Sequence, residues 1–163
     1  MAGESSFDVV SDFDQQELVN ALDQVRREIA TRYDFKGSRS TLELGKAEVT
    51  LTADDEFRAK AVRDLVESKA VRRGLSLKIF EWGKLEPASG GTVRQRIDLK
   101  RGLTSEQAKE LTRRIRDHFP KVKPVIQGDA VRVTGKSKDE LQGVIADLRA
   151  LDYPVALQFT NYR

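Results

Sequence analysis

The chain has 163 residues, of which 39% are hydrophobic and 34% charged, and its formal net charge is +3. This length fits one ordinary domain or two small ones, and only 4 prolines and 11 glycines argue against a disordered chain. The absence of cysteine excludes disulfide scaffolds, thiolate zinc sites and cysteine nucleophiles, and it suits a reducing compartment. The sequence shows neither a signal-peptide pattern nor an apolar run long enough to cross a bilayer, so we expect a cytoplasmic protein with no membrane partner.

The chain begins with a strand pattern followed by a helix pattern. Apolar and polar residues alternate over 7–12, which predicts a short strand. Asp14 then occupies an N-cap position, and Glu17 three residues later resembles the second half of a capping box. Apolar residues at helical spacing follow, and they predict an amphipathic helix to about Arg32.

The rest of the first half predicts a hairpin, a helix and a strand. Two short alternating runs flank Gly45-Lys46, a compact turn signal. Asp54 is suited to cap a second helix, which carries Phe57 on its apolar side and ends before Gly74, a suitable left-handed residue. Alternation over 75–79 predicts a final strand. The element order is therefore β-α-β-β-α-β.

The same order returns after a segment rich in Pro, Gly and Ser, whose composition is typical of a linker. The elements predicted there are a strand over 93–99, a helix capped by Thr104 and Gln107, a hairpin that turns at Gly128-Asp129, a helix capped by Ser137 and Glu140, and a strand around Val155–Phe159. Some residues also match at an offset of 84, such as Val49 with Val133. Chance could supply these matches, but the shared element order favours a duplication.

This order is typical of the ferredoxin-like fold, in which two helices cover one face of a four-stranded antiparallel sheet. We therefore predict the α+β class with two such domains in tandem. The expected boundaries are a first domain at 1–84, a linker at 85–91 and a second domain at 92–163. Residues 1–84 hold 14 Lys/Arg and 16 Asp/Glu, whereas residues 85–163 hold 15 and 10. This imbalance favours the second half for an anionic partner.

Alternation also predicts which side chains lie on the open face of the second sheet. If the apolar residues pack on the helices, several cations point outward together and would repel one another unless an anion lies among them. The candidate nucleotide-binding residues are Arg94, Arg96, Lys100, Lys123, Arg132, Thr134, Lys136 and Gln158. Solvated arginines on an exposed sheet would explain the same pattern. The matching face of the first half has mixed charge.

Residue patterns for catalysis are missing from the sequence. His118 is the only histidine and stands at the end of a predicted helix, where its charge would cap the helix C-terminus. Acidic pairs fall in first helical turns, and Gly135-Lys136-Ser137 lacks the earlier glycine of a phosphate loop. That segment is still suited to a phosphate at a helix start, although a capped helix with solvated lysines is the favoured interpretation. We predict no enzyme, no metal and no cofactor.

Aromatic residues decide how well a sheet can bind RNA, because bases stack on them. The expected central strands of both halves contain none. Tyr33, Phe35, Trp82 and Tyr162 lie elsewhere, and Phe35 and Trp82 suit packing better. A conventional RNA-recognition motif is therefore disfavoured.

Several segments are similar to the YajQ family of nucleotide-binding proteins, and the similarity runs from near residue 5 to the C-terminus. The segments are Ser6–Ser11, Arg32–Lys36, Gln127–Lys136 with Asp139–Gln142, and Leu157–Arg163. The resemblance implies two ferredoxin-like domains with exchanged N-terminal strands as one arrangement, in which the strand at 7–12 pairs within the second domain. It also implies nucleotide binding, with cyclic di-GMP as the ligand of some members and RNA as a suspected one. It supplies no catalytic residues.

Four functions follow, in decreasing order of support. The first is a non-enzymatic nucleotide receptor, for cyclic di-GMP, GTP or ATP, that works through a protein effector. The second is an RNA-binding module that uses both domains. A protein-interaction adaptor and a nucleotide hydrolase are the others, and the hydrolase has no residues to support it.

Overall fold

A computed structural model describes residues 3–163 and divides the chain into two compact units. The split unit combines the described residues up to Asp12 with Arg101–Arg163, and the inserted unit is Phe13–Lys100. In chain order the elements are β1 (Ser5–Val10), α1 (Gln15–Thr31), β2 (Thr41–Leu44), β3 (Glu48–Ala53), α2 (Glu56–Arg72), β4 (Phe80–Pro87), β5 (Val93–Leu99), α3 (Ser105–His118), β6 (Lys123–Gln127), β7 (Ala130–Gly135), α4 (Lys138–Ala150) and β8 (Gln158–Thr160).

The split unit is a four-stranded antiparallel sheet with the order β6-β7-β1-β8. Helices α3 and α4 contact strands β6, β7 and β1. Counted within this unit, the strand order is 4-1-3-2 and the chain order is β-α-β-β-α-β, which defines the ferredoxin-like fold. Its core contains the fully buried side chains of Phe7, Val131, Val133 and Leu141.

The inserted unit has the same arrangement of strands and helices, except that the strand in the first position of the fold comes last in the chain of this unit. Its sheet has the order β2-β3-β5-β4, and α1 and α2 pack on each other and on β2, β3 and β5. Strand β5 takes the place that β1 takes in the split unit. The two N-terminal strands of the sequence repeat are therefore exchanged, and the predicted tandem of ferredoxin-like domains is confirmed with this exchange.

The structure divides the chain differently from the expected boundaries at 84 and 92. Residues 85–91 are not a linker, since they contain the end of β4 and the turn that joins β4 to β5 in a hairpin. Strand 93–99 pairs with β3 and β4 in the first sheet. The alternation of a strand shows which face is apolar but not which sheet the strand joins, so the sequence pattern could not reveal this.

The charge imbalance between the halves disappears when the chain is divided as the structure divides it. The inserted unit has 17 Lys/Arg and 15 Asp/Glu, and the split unit has 12 and 11. The net charges are therefore +2 and +1. The surplus of cations in residues 85–163 disappears mainly because the split unit also contains Glu4, Asp8 and Asp12 of the N-terminal segment, which has no Lys or Arg. Assigning residues 85–100 to the inserted unit removes only one further positive charge.

Two local predictions were wrong. Residues 75–79 do not form a strand: Leu77–Ile79 is a 3₁₀ turn whose start is capped by Ser76, and the strand begins at Phe80. Phe57 is 78% exposed rather than packed, because the buried side of α2 runs through Ala59, Val62, Val66 and Ala70. The N-cap of α2 is also Asp55 and not the expected Asp54.

Local signals explain most element boundaries. Thr104 and Gln107 form the predicted capping box of α3, with the Thr104 N–H donating to Gln107 Oε1 at 3.0 Å and the Gln107 N–H donating to Thr104 Oγ1 at 3.1 Å. Asp14 accepts hydrogen bonds from the first turn of α1, and Gly74 follows α2 with a φ of +78°. Within residues 3–163, no helix is long and apolar enough to cross a membrane.

Candidate functional site

The open face of the split-unit sheet lies opposite α3 and α4 and carries mostly polar side chains. Successive residues of each strand point to opposite faces of the sheet, so the buried Phe7 and Val133 point to the helices and the residues next to them point to the open face. Cross-strand register aligns the open-face residues in three rows: Arg163, Ser6, Thr134 and Lys123 in one, Thr160, Asp8, Arg132 and Val125 in the next, and Gln158 with Val10 in the third.

A charged cluster lies in the second of these rows. Arg132 donates from Nε to Asp8 Oδ1 at 2.9 Å and from Nη2 to Asp8 Oδ2 at 3.3 Å. Asn161 Nδ2 also donates to Asp8 Oδ2, at 3.0 Å. The hydrogen bond from Arg132 is the main cause that lowers the pKa of Asp8 below its ordinary value, and it raises the pKa of Arg132. We call Asp8, Arg132 and Asn161 the Arg132 cluster. At neutral pH it contains an ion pair between Asp8 and Arg132, and the hydrogen bonds fix the orientation of both side chains.

A bulge after β8 brings Asn161 into this cluster. Thr160 is opposite Asp8, but the next backbone pair joins Ser6 to Arg163, with N–H···O distances of 2.9 and 3.1 Å in the two directions. One extra residue therefore lies on the β8 side, and Asn161 accommodates it with a left-handed φ of 57°. Asn is among the residues that tolerate this conformation.

The other predicted residues of the split unit lie in different places relative to the Arg132 cluster. Lys123 and Thr134 form the neighbouring row, whereas Gln158 lies opposite Val10, and its Oε1 accepts from the Asp12 N–H at 2.7 Å. Lys136 is exposed in the turn before α4. Asp139 and Glu140 occupy the first turn of that helix, so a phosphate at this helix start would meet two carboxylates.

Arg94, Arg96 and Lys100 belong to the inserted unit, so the eight predicted residues do not share one sheet. Arg94 and Arg96 point to the open face of the inserted sheet, and Arg96 Nε donates to Asp98 at 2.7 Å. Carboxylates outnumber these two arginines on that face. In register there are Glu43, Glu48, Glu81, Glu86 and Asp98. The inserted sheet is therefore a poor surface for phosphate.

Aromatic side chains are absent from both open faces in the described part of the chain. Phe7 on β1 is fully buried, and Phe35 is 3% exposed. Trp82 packs under Arg63, whose guanidinium carbon is 4.4 Å from the ring centroid. Tyr162 stacks on Phe7 at a centroid distance of 6.5 Å. Tyr33 is 90% exposed, but it lies in a 3₁₀ turn away from the sheet faces.

His118 lies at the end of α3 in a surface network. Its Nδ1 is 4.0 Å from Asp147, which already accepts two hydrogen bonds from Arg114 at 2.9 and 3.0 Å. The Arg114 hydrogen bonds lower the pKa of Asp147. Asp55, predicted as part of an acidic cluster, accepts from the Arg58 N–H as a helix cap. Among residues 3–163, no group of three His, Asp or Glu side chains is placed to hold a metal ion.

Sequence reasoning found Arg132 but not its partners. Alternation alone puts Asp8 on the outer face of its strand, but it gives no sign that β1 lies next to β7. Asn161 has no pattern to reveal it, because its position depends on a bulge. The family-like ending Leu157–Arg163 was the only available signal for this segment.

The fold and these faces define a tandem ferredoxin-like protein with one mildly cationic and one acidic open sheet. A family model described as "Nucleotide-binding protein YajQ-like" matches residues 5–163. The chain therefore belongs to the YajQ-like family of nucleotide-binding proteins, which confirms the resemblance in the sequence.

Several relatives match over their whole length. A protein named "Nucleotide-binding protein" from Chloroflexus aggregans is 61% identical, with all of both chains covered. A nucleotide-binding protein from Synechococcus elongatus is 61% identical and one from Trichodesmium erythraeum is 56% identical, again with both chains fully covered.

Proposed function

We propose that this protein is a non-enzymatic cytoplasmic receptor for a guanine nucleotide, with cyclic di-GMP as the leading ligand, that acts through a protein partner. The observation that carries the proposal is the Arg132 cluster. It presents a guanidinium and a carboxylate side by side on an open sheet face whose other charged residues in register are the cations Lys123 and Arg163.

The two charged groups of the cluster match the two chemical parts of the ligand. A guanidinium bonds phosphate oxygens in a bidentate manner and also stacks on a base or bonds its acceptor edge. A carboxylate accepts from the N1–H and N2–H donors of guanine. Adenine offers an acceptor at N1, which a carboxylate would repel. The cluster therefore favours guanine over adenine, and Lys123 in the next row supports a second phosphate contact.

A receptor without catalysis agrees with how the reactive side chains are used. His118 is near Asp147 at the end of α3, Asp55 caps α2, and Asp139 and Glu140 lie in the first turn of α4, where the helix dipole favours acidic side chains. RNA is a weaker ligand for these sheets, since stacking on exposed aromatics is the usual source of affinity for single strands. RNA binding is an outcome that the same experiment separates.

Titration calorimetry of the full chain tests the proposal with four ligands at low and moderate salt: cyclic di-GMP, GTP, ATP and a short single-stranded RNA. We expect saturable binding of cyclic di-GMP, weaker binding of GTP, and the weakest binding of ATP. Arg132→Gln should weaken cyclic di-GMP binding by about tenfold or more, the worth of one charge-assisted bidentate contact.

Arg96→Gln is the matched control, because Arg96 also donates to an aspartate on an open sheet face but belongs to the inserted unit. It should change the affinity by less than about twofold. Asp8→Asn should reduce the preference for guanine over adenine. Equal losses in R132Q and R96Q, or binding of RNA alone with a steep salt dependence, would show that the proposal is wrong.

A further inference from the structure

A groove runs between α3 and the edge strand β6 of the split unit, away from the Arg132 cluster. It has a volume of about 540 Å³. Lys109, Thr112, Arg113 and Arg116 of α3 form one wall, and Pro124 and Ile126 of β6 form the floor. We call it the α3–β6 groove.

The cations of the groove form a stripe along α3. Lys109, Arg113 and Arg116 stand at positions i, i+4 and i+7, so they share one side of the helix over about 10 Å. All three are exposed, and none makes an ion pair with a carboxylate. Arg114, one position further on, points elsewhere and is bonded to Asp147. The groove thus has three unpaired cations and one acidic residue, Asp117, in its lining.

Apolar surface accompanies this charge. Ile126 points to the helix side of β6 and is 38% exposed, whereas Val125 points to the open face of the sheet beside Arg132. Pro124 has no N–H, so β6 offers an incomplete row of donors for an added strand. A bound segment would therefore be recognised by its side chains rather than by pairing with the strand.

Thr112, which also lines the groove, lowers the stability of the fold. It is 5% exposed, and its hydroxyl is the one buried side-chain polar atom in residues 3–163 that has no hydrogen-bond partner. An unpaired buried hydroxyl costs about 1 kcal/mol or more. Departures from optimal stability of this kind concentrate at functional surfaces.

From these features we infer that the α3–β6 groove binds an acidic segment of a partner protein, with carboxylates facing Lys109, Arg113 and Arg116 and an apolar side chain on Ile126. Charge complementarity and the apolar floor together select this occupant. Nucleic acid is disfavoured because no aromatic side chain lines the groove. This surface supplies the partner contact of the proposed receptor, but it does not depend on which nucleotide binds.

A selection from a displayed library of random dodecapeptides tests the inference on the full-length protein. We expect enriched peptides that alternate Asp or Glu with Leu, Ile or Phe. The synthetic form of the best peptide should then bind the R113Q/R116Q double variant about tenfold more weakly than the original chain. R27Q/R72Q is the control, since it removes the same charge from two exposed arginines of α1 and α2 that make no ion pair.

Binding to R27Q/R72Q should fall by less than about twofold. Failure to enrich acidic peptides, equal binding to both double variants, or loss of only RNA binding in R113Q/R116Q would overturn the inference. Cyclic di-GMP titration of R113Q/R116Q separates this result from the proposed function, because that variant leaves the Arg132 cluster intact and should keep its nucleotide affinity.

Discussion

The two sheets of this protein have the same connectivity, but their open faces carry opposite charge. On the split-unit face, the cations Lys123, Arg132 and Arg163 outnumber the single side-chain carboxylate of Asp8 among the residues in register. On the inserted-unit face, two arginines meet five carboxylates. The units as wholes differ by only one charge, so the difference is local to the sheets.

This contrast shows that duplication of a fold does not duplicate a site. The layout positions an open face in each unit, and the side chains on that face decide what it attracts. Arg96 and Arg132 illustrate the point. Each donates a hydrogen bond to an aspartate of its own sheet, but only Arg132 lies on a face where cations outnumber carboxylates, which favours phosphate binding.

The largest effects should come from the exchanged strands. Phe7→Ala in β1 should destabilise the split unit by about 3–5 kcal/mol, because the side chain is fully buried and contacts the rings of Phe159 and Tyr162. Ile97→Ala in β5 should destabilise the inserted unit by about 2–5 kcal/mol. Hydrogen exchange followed by mass spectrometry locates the loss of protection for each variant.

The pattern of hydrogen exchange is decisive because β1 is followed in the chain by the inserted unit and β5 by the rest of the split unit, so strands that were not exchanged would give the opposite result. In F7A we expect faster exchange over 101–163, and in I97A over 13–100. The opposite assignment, with F7A acting on 13–100 and I97A on 101–163, would show that the strands are not exchanged.

A buried tyrosine should make the split unit sensitive to alkali. Burial and the nearby Glu110 raise the pKa of Tyr153 from 10.0 to about 12. Because the unfolded chain loses this proton at a lower pH than the folded chain, the contribution of the neutral hydroxyl to stability is fully present below about pH 10 and is lost as the pH rises towards 12. Between about pH 8 and pH 11.5, the free energy of unfolding should fall by up to about 2 kcal/mol more in the original chain than in Tyr153→Phe.

Urea unfolding at the two pH values measures this difference. Tyr33→Phe is the control, because Tyr33 is 90% exposed and the same chemical change there should leave the pH dependence as it is. An equal alkaline loss in Y153F and the original chain would contradict the role of this hydroxyl.

Each unit has a buried polar side chain whose replacement by an apolar one should change the stability, and the two changes should have opposite signs. Gln95 in the inserted unit donates to the Gly83 carbonyl at 2.7 Å, so Gln95→Met should cost about 1–2 kcal/mol. Thr112 in the split unit has no partner, and Thr112→Val should stabilise the protein by about 1 kcal/mol. Thermal unfolding of both variants checks the signs. A destabilised T112V would mean that the hydroxyl has a partner in solution.

The smallest effect concerns the Arg132 cluster in acid. The pKa of Asp8 is lowered in the folded state, mainly by Arg132, so its contribution is present above about pH 4 and is lost as the pH falls through the folded pKa. We expect less than about 1 kcal/mol for a pair with this exposure. The difference in unfolding free energy between the original chain and Asp8→Asn should shrink below about pH 4. A constant difference down to pH 2 would contradict the ion pair.

Much of the fold could be predicted because local signals are strong. The capping box at Thr104 and Gln107, the hairpin turn at Gly128-Asp129 and the left-handed Gly74 all lie where their chemistry predicts. Strand β4 was harder, since it is an edge strand whose exposed residues include Glu81, Lys84 and Glu86. Its polar composition resembles that of a loop.

The candidate site could be predicted only in part. Alternation identified Arg132 and Thr134 as outward residues, but it also grouped them with Arg94 and Arg96, which the exchange puts on another sheet. A period of two residues determines the face of a strand and leaves its neighbours undetermined. Contacts across the whole chain, such as Asp8 with Arg132 at a separation of 124 residues, therefore lie beyond any local pattern.

Nuclear magnetic resonance of the ¹⁵N-labelled protein, titrated with cyclic di-GMP, tests the central claim most directly because it reads both sheets at once. We expect amide shift changes in Ser5–Val10, Ala130–Gly135 and Gln158–Thr160, with little change in Glu48–Ala53 and Val93–Leu99. Changes confined to Glu48–Ala53 and Val93–Leu99, or no saturable changes at all, would contradict a nucleotide site on the split-unit sheet.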